Sequence, residues 1–205
     1  MSSLHLLVLG THNRKKGKEL ETLLAPHGIQ LKTLADFPDA LEVVEDGDSF
    51  AENARRKACV QACHLKQWVL GEDSGLSVDA LGGAPGIYSA RYSGEHADDP
   101  SNNRYLLEQL QGIPVEARTA HYTCHVTLAD PEGEVRAECE AYCSGRIIDE
   151  PRGTAGFGYD PLFEIVEYRR TFGELGETVK SVLSHRARAV RQILPHILAL
   201  ADSGQ

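Results

Sequence analysis

The stretch LHLLVLGTHNRKKGKELETLLAPHG (residues 4–28) carries the pattern that decides the fold. A short branched apolar run closed by Gly10 predicts a buried strand over residues 4–10. The polar turn Thr11-His12-Asn13 follows, and then Leu20, Leu23 and Leu24 recur on one helical face until Pro26 and Gly28 end it. Strand, tight turn and helix in succession open an α/β arrangement. Residues 29–34 alternate as a second strand, 35–48 form an acidic loop, 49–65 read as a helix, and WVLGED (68–73) reads as a strand ending on two carboxylates. A helix is expected near 99–111. Two long strands follow, over 118–130 and 134–148, joined by the hairpin-like Pro131-Glu132-Gly133. After the glycine-rich loop 153–161, a short strand and a final helix (184–200) complete the chain. The expected fold class is α/β: an elongated, mixed, twisted sheet with flanking helices, forming a single domain over 1–205.

Composition narrows the function. The chain of 205 residues carries 21 Lys and Arg against 30 Asp and Glu, a formal charge of −9. Such a balance argues against a nucleic-acid coat or a partner of anionic membranes. Basic residues nevertheless cluster at Arg14-Lys15-Lys16, at Arg55-Arg56-Lys57 and over residues 180–191, where a small anionic substrate could be held. The start of the chain reads as neither a signal peptide nor a membrane span, so the expected location is cytoplasmic. Five cysteines, an odd number, read as reduced core thiols. Cys59, Cys63 and His64 lack the C-x2-C spacing of a zinc knuckle.

Five segments could carry chemistry. In GTHNRKK, a strand end runs into a cationic helix start, which suits phosphate through helix N–H groups and ammonium side chains. In SFAENARRKA, Ser49 and Glu52 stand in capping-box spacing, and Glu52 is alternatively a hard oxygen ligand. In GEDSGL, Glu72 and Asp73 repel each other by about 1 kcal/mol at 4 Å in water and more at lower dielectric. A divalent cation would relieve that repulsion, and Mg2+ prefers one or two carboxylates together with phosphate oxygens. GTAGFGYDP sets Phe157 between Gly156 and Gly158 ahead of Tyr159 and Asp160, a frame on which a flat base could stack for about 1–3 kcal/mol. Lys180, His185 and Arg186, read as donors at the start of the last helix with Ser184 as its cap, would favour a 6-keto purine over adenine.

Taken in order, THNRKK, FAENARRKA, EDSGLSVDALGGAPGIYSARYSG, GFGYDP and KSVLSHR resemble the inosine triphosphate pyrophosphatase (Ham1-like) family over nearly the whole chain. The resemblance implies two lobes around a central nucleotide cleft, a homodimer, and Mg2+-dependent hydrolysis of ITP, dITP or XTP to the monophosphate and pyrophosphate. It implies phosphate binding by Thr11, His12, Asn13, Arg14, Lys15 and Lys16. Asp73 would be the proton acceptor and a metal ligand, with Glu52 or Glu72 beside it, and Ser74 a substrate contact. Base recognition would fall to Phe157, Gly158, Tyr159, Asp160, Lys180, His185 and Arg186. The chain departs from the family pattern at His12, where Gly is usual, at Glu72, where the first Asp is usual, and in GETVKS, which lacks the usual glutamate pair before Lys180. Two rival readings are a nucleoside triphosphate phosphatase releasing orthophosphate and a non-catalytic purine nucleotide-binding protein.

Overall fold

The computed structural model describes residues 6–202. Its elements are β1 (Leu6–Gly10), α1 (Arg14–Leu24), β2 (Gln30–Thr33), α2 (Phe50–Leu65), β3 (Trp68–Val78), α3 (Asp99–Gln109), β4 (Thr119–Ala129), β5 (Val135–Ile147), β6 (Phe163–Ile165), β7 (Arg170–Thr171), α4 (Phe172–Leu183) and α5 (His185–Asp202). The seven strands form one sheet in the order β2-β1-β3-β4-β5-β6-β7. β1 pairs in parallel with β2 and with β3, while β6 pairs antiparallel with both β5 and β7. The mixed α/β expectation therefore holds. The first predicted strand begins two residues before the described residues.

Two compact units divide the chain: residues 1–73, 124–141 and 186–205 form the first, and residues 74–123 and 142–185 the second. In the first unit, alternation along β1 and β3 feeds two cores at once. Leu7, Leu9, Trp68 and Leu70 join α1 and α5 through Leu20, Leu24, Val190 and Ile193. Val8 and Val69 point the other way, onto Ala58 and Ala62 of α2. Strands covered on both faces read as near-continuous apolar runs, as these do.

α2 lies close to the sheet because its buried face is built from alanine and because Gly71 has no side chain. A Cβ at Gly71 would strike the Ala54 carbonyl and would sit 2.7 Å from the Ala58 nitrogen. This approach brings Asn53 and Lys57 of α2 to the residues that follow Gly71 in β3. The second unit packs Leu76 and Val78 of β3 with Leu106, Leu110, Tyr122, Phe163 and Phe172.

The structure corrects three expectations. β3 does not end on the carboxylates; it runs to Val78 and buries both Glu72 and Asp73 within a strand. A separate helix, α4, precedes α5 and carries Lys180, and Ser184 both ends α4 and directly precedes α5. The sequence obscures α4 because Gly176, at φ 76°, interrupts it. Only Cys124 and Cys143 are buried thiols, while Cys63 is exposed and Cys59 and Cys139 are half-buried. Replacing Gly71 by Ala should overpack the α2–β3 contact and lower stability by about 1–3 kcal/mol in denaturant titrations.

Candidate active site

The first unit builds its polar centre from the β1–α1 turn, α2, and the middle of β3. At the turn, the Asn13 N–H donates to Thr11 Oγ1 at 3.0 Å, and Asn13 Oδ1 accepts from the Lys15 and Lys16 N–H groups at 3.0 and 3.2 Å. These bonds make Asn13 the N-cap of α1. Two of the amides expected for phosphate are therefore taken by the cap, and the cationic side chains carry the turn's attraction for anions. His12, Arg14 and Lys15 are exposed on the turn. Lys16 turns inward, with Nζ 3.1 Å from Glu72 Oε2.

Asp73 is 6% exposed. Its Oδ1 accepts from Lys57 Nζ at 3.0 Å and its Oδ2 from Asn53 Nδ2 at 3.3 Å. Lys57 Nζ also donates to Glu45 Oε2 at 2.9 Å, so one buried ammonium joins two carboxylates. Burial raises the Glu45 carboxyl, but Lys57 outweighs it and holds its pKa below the usual glutamate value. Burial pushes the Asp73 carboxyl above the usual aspartate range despite the opposing pull of Lys57 and Lys16, and Glu45 and Glu72 add to the rise. Burial works against the Lys57 ammonium, yet Asp73, Glu45 and Glu72 outweigh it and hold its pKa up. Asp73 is thus a carboxylate whose proton affinity is enhanced while a fixed cation aligns it.

The two glutamates singled out beside Asp73 have partners of their own. Glu52 is an exposed first-turn residue of α2, where Ser49 Oγ accepts its N–H at 3.1 Å. Its carboxylate accepts from the Asp48 N–H and from Arg56. Ser49 therefore caps α2, but the capping box is not completed, because Glu52 reaches back to the Asp48 N–H and not to that of Ser49. Glu72 is buried between cations: Arg186 Nη2 donates to its Oε1 at 2.9 Å and Lys16 stands at its Oε2. Arg186 also reaches Glu19, and the Cys124 thiol donates to Glu72 at 3.4 Å. Burial, with Glu72 beside it, pushes the Cys124 thiol well up, so it remains a protonated donor. Within the first unit Glu72 anchors Arg186 and Lys16.

The second unit holds the remaining predicted residues. Asp160, 2% exposed, accepts from the Phe157 N–H at 2.8 Å and from Lys180 Nζ at 2.6 Å. Lys180 Nζ lies 4.4 Å from the Phe157 ring centroid, over its face. Gly156 must be glycine: its φ is +78°, and a Cβ there would strike the Asp160 carboxylate. Gly158 also has a positive φ, and its carbonyl accepts from Asn103. Tyr159 packs within the loop. It is 3% exposed, and its hydroxyl donates to the Ser89 carbonyl at 2.8 Å, tying this loop to the IYSAR segment. His185 is also buried, stacked on Tyr122 with centroids 4.6 Å apart. Ser74 follows Asp73 in β3 and is half-buried.

Sequence reading missed Asn53 and Glu45, and it placed Lys57 in a basic cluster for an anionic substrate where the structure binds it to two carboxylates. Asn53 and Lys57 are four residues apart, one helical turn, so their shared face was discoverable in FAENARRKA. Glu45 lay among similar acidic residues with no local signal. Among the described residues, no group of three or more His, Cys, Asp or Glu forms a ready metal cage. The Glu45–Asp73 pair instead offers the small hard-oxygen set that suits Mg2+ shared with phosphate oxygens.

If Asp73 is the base, activity falls as pH drops through its raised pKa, so the acid limb of kcat/KM should lie above 3.8, the ordinary Asp value. Replacing Lys57 by Met removes the nearby cation and should move that limb up by about 1–3 units. Asp73→Asn should cut kcat by about 10²–10⁴-fold. The same change should not lower the melting temperature, because a buried charge has been removed.

The Ham1 family model matches residues 7–196. A dITP/XTP pyrophosphatase of Rhodopirellula baltica is 54% identical over 203 residues, covering 99% of this chain and 98% of that protein. A protein of the same name from Desulforamulus reducens is 47% identical, covering 92% and 93%. Among solved structures, a HAM1 protein from Coxiella burnetii superposes with a TM-score of 0.85 at 35% identity, covering 95% of this chain and 98% of that one. With the family model spanning nearly all of the described chain and the identity extending over its length, this protein belongs to the Ham1 family.

Proposed function

We propose that this protein hydrolyses non-canonical purine nucleoside triphosphates, dITP, ITP and XTP, to the monophosphate and pyrophosphate. The observation that carries this reading is Asp73, a buried carboxylate of raised proton affinity held by Lys57 beside Glu45. The names of the R. baltica and D. reducens relatives, dITP/XTP pyrophosphatase, support the substrate class.

Asp73 orients a water and accepts its proton as the water oxygen attacks the α-phosphorus. The α-phosphorus to bridging-oxygen bond breaks, and pyrophosphate departs with that oxygen. Lys16, with Arg14 and Lys15 on the same turn, neutralises charge on the phosphates and the leaving group. Glu45 and Asp73 would hold Mg2+, which supplies charge neutralisation at phosphate oxygens. Lys57 keeps the carboxylate pair ionised and oriented.

In the second unit, Phe157 offers a stacking face and Lys180 a donor, and both are assigned to the purine base. Asp160 fixes the two in place. A 6-keto group accepts from such a donor, whereas the adenine amino group does not. Phe157→Ala should therefore raise KM for dITP by about 10-fold or more, from the roughly 1–3 kcal/mol of a base stack, and affect kcat less.

Among the described residues no helix is long and apolar enough to cross a membrane. A homodimer acting in the cytoplasm completes the proposal, supported by the family resemblance; sedimentation at micromolar concentration tests the dimer. The functional test is product identity with Mg2+ and dITP, XTP, GTP or ATP. Pyrophosphate from dITP and XTP, with GTP and ATP much slower, is expected. Orthophosphate would establish the phosphatase reading in its place, and binding without turnover would establish the non-catalytic one.

A further inference from the structure

Residues 37–49 contain no helix or strand, yet they deliver Glu45. Asp39, Glu42, Glu45, Asp46 and Asp48 crowd this strap with like charge, and Leu41 and Val44 on it are 40% and 68% exposed. Phe37 and Ala40 pack the start of the strap on the apolar cluster under α2, but beyond them neither charge nor apolar burial explains its course. A row of polar side chains on one face of α2 does. Asn53 Oδ1 accepts the Gly47 N–H at 2.9 Å, and Lys57 binds Glu45. Gln61 Oε1 accepts the Leu41 N–H at 3.2 Å while its Nε2 donates to the Leu41 carbonyl. His64 Nε2 lies 2.7 Å from the Asp39 carbonyl. Positions 53, 57, 61 and 64 step along successive helical turns as the strap positions 47, 45, 41 and 39 run the opposite way. Arg56 adds contacts to the Val44 carbonyl and to Asp46.

We propose that this ladder sets the register of the acidic strap, and that Gln61 is a positioning residue governing how Glu45 reaches Asp73. Gln61 is 1% exposed and touches none of the groups assigned to water, phosphate or metal. By bonding both the N–H and the carbonyl of Leu41, its amide substitutes for a neighbouring strand and grips the backbone one helical turn from Lys57. Asn53 closes the other end, binding the strap at Gly47 and Asp73 with a single side chain. A Cβ at Gly47 would sit 2.7 Å from Asn53 Oδ1, which explains the glycine there. The inference rests on the reading that Glu45 and Asp73 share a divalent cation.

The test compares Gln61→Met, of similar volume but unable to make either bond, with Val60→Gly, which weakens the same helix at an exposed position. Amide hydrogen exchange in the metal-free protein reads the strap, and Mn2+ titration by electron paramagnetic resonance reads the cation site. In Gln61→Met, the amides of Glu45 and Asp46 should exchange about tenfold faster and half-saturation by Mn2+ should rise about tenfold, the range typical of outer partners of metal ligands, while kcat at saturating Mg2+ stays within about threefold. Val60→Gly should leave exchange at Glu45 and Mn2+ affinity as in the wild type despite a lower melting temperature. Unchanged exchange in Gln61→Met, faster exchange with unchanged Mn2+ affinity, or the same changes in Val60→Gly would each overturn the proposal. A wild-type protein that releases no pyrophosphate would defeat the functional reading instead, and exchange and Mn2+ binding would still decide the role of Gln61.

Discussion

The buried ammonium of Lys57, bonded to both Asp73 and Glu45, is the interaction on which the candidate site depends. Asp73 is withdrawn from water while the Glu45 side chain is 42% exposed, and the buried carboxylate would take up a proton more readily still without a compensating charge. At 4 Å and an effective dielectric near 20, one ion pair offsets on the order of 4 kcal/mol. Lys57 supplies that attraction twice from one position. Burial still leaves Asp73 above its ordinary range, the direction that suits a base. Stability and chemistry conflict here, since the charge that makes Asp73 useful is the one that folding disfavours.

The fold serves this arrangement through small residues. The alanine face of α2 and the bare backbone of Gly71 bring helix and strand close enough for Asn53 and Lys57 to reach the next turn of β3. A second ionic knot, Glu72 with Arg186 and Lys16, locks the end of β1–α1 and the start of α5 to the same strand. Adjacent acids in the sequence therefore have different surroundings: Glu72 lies between Lys16 and Arg186, and Asp73 between Lys57 and Asn53. In the second unit, Asp160 plays the fixing part for Phe157 and Lys180.

Much of this was legible in the sequence. Apolar alternation and helical periodicity located β1, α1, α2, β4 and β5 to within a few residues, because each buries a regular stripe. β3 was cut short because Glu72 and Asp73 look like a turn, and only their burial against fixed cations shows why a strand can carry them. α4 escaped because Gly176 breaks its period. Asp73, Lys16, Lys180 and Phe157 stood out by chemistry and motif. Glu45 did not, since its role comes from a strap held by tertiary hydrogen bonds that leave no local pattern. The burial of Tyr159 and His185 was not legible, because polar aromatics in a glycine-rich loop or at a helix start carry no mark of it in the sequence. Their rings pack in the second unit.

The most direct measurement is the titration of the Asp73 side-chain carboxyl by carbon NMR in the metal-free protein, assigned by comparison with Asp73→Asn. A midpoint above 3.8, displaced further upward when Lys57 is replaced by Met, is the expected result. A midpoint at or below the ordinary aspartate value, or one indifferent to Lys57, would contradict a base poised by burial against a fixed cation.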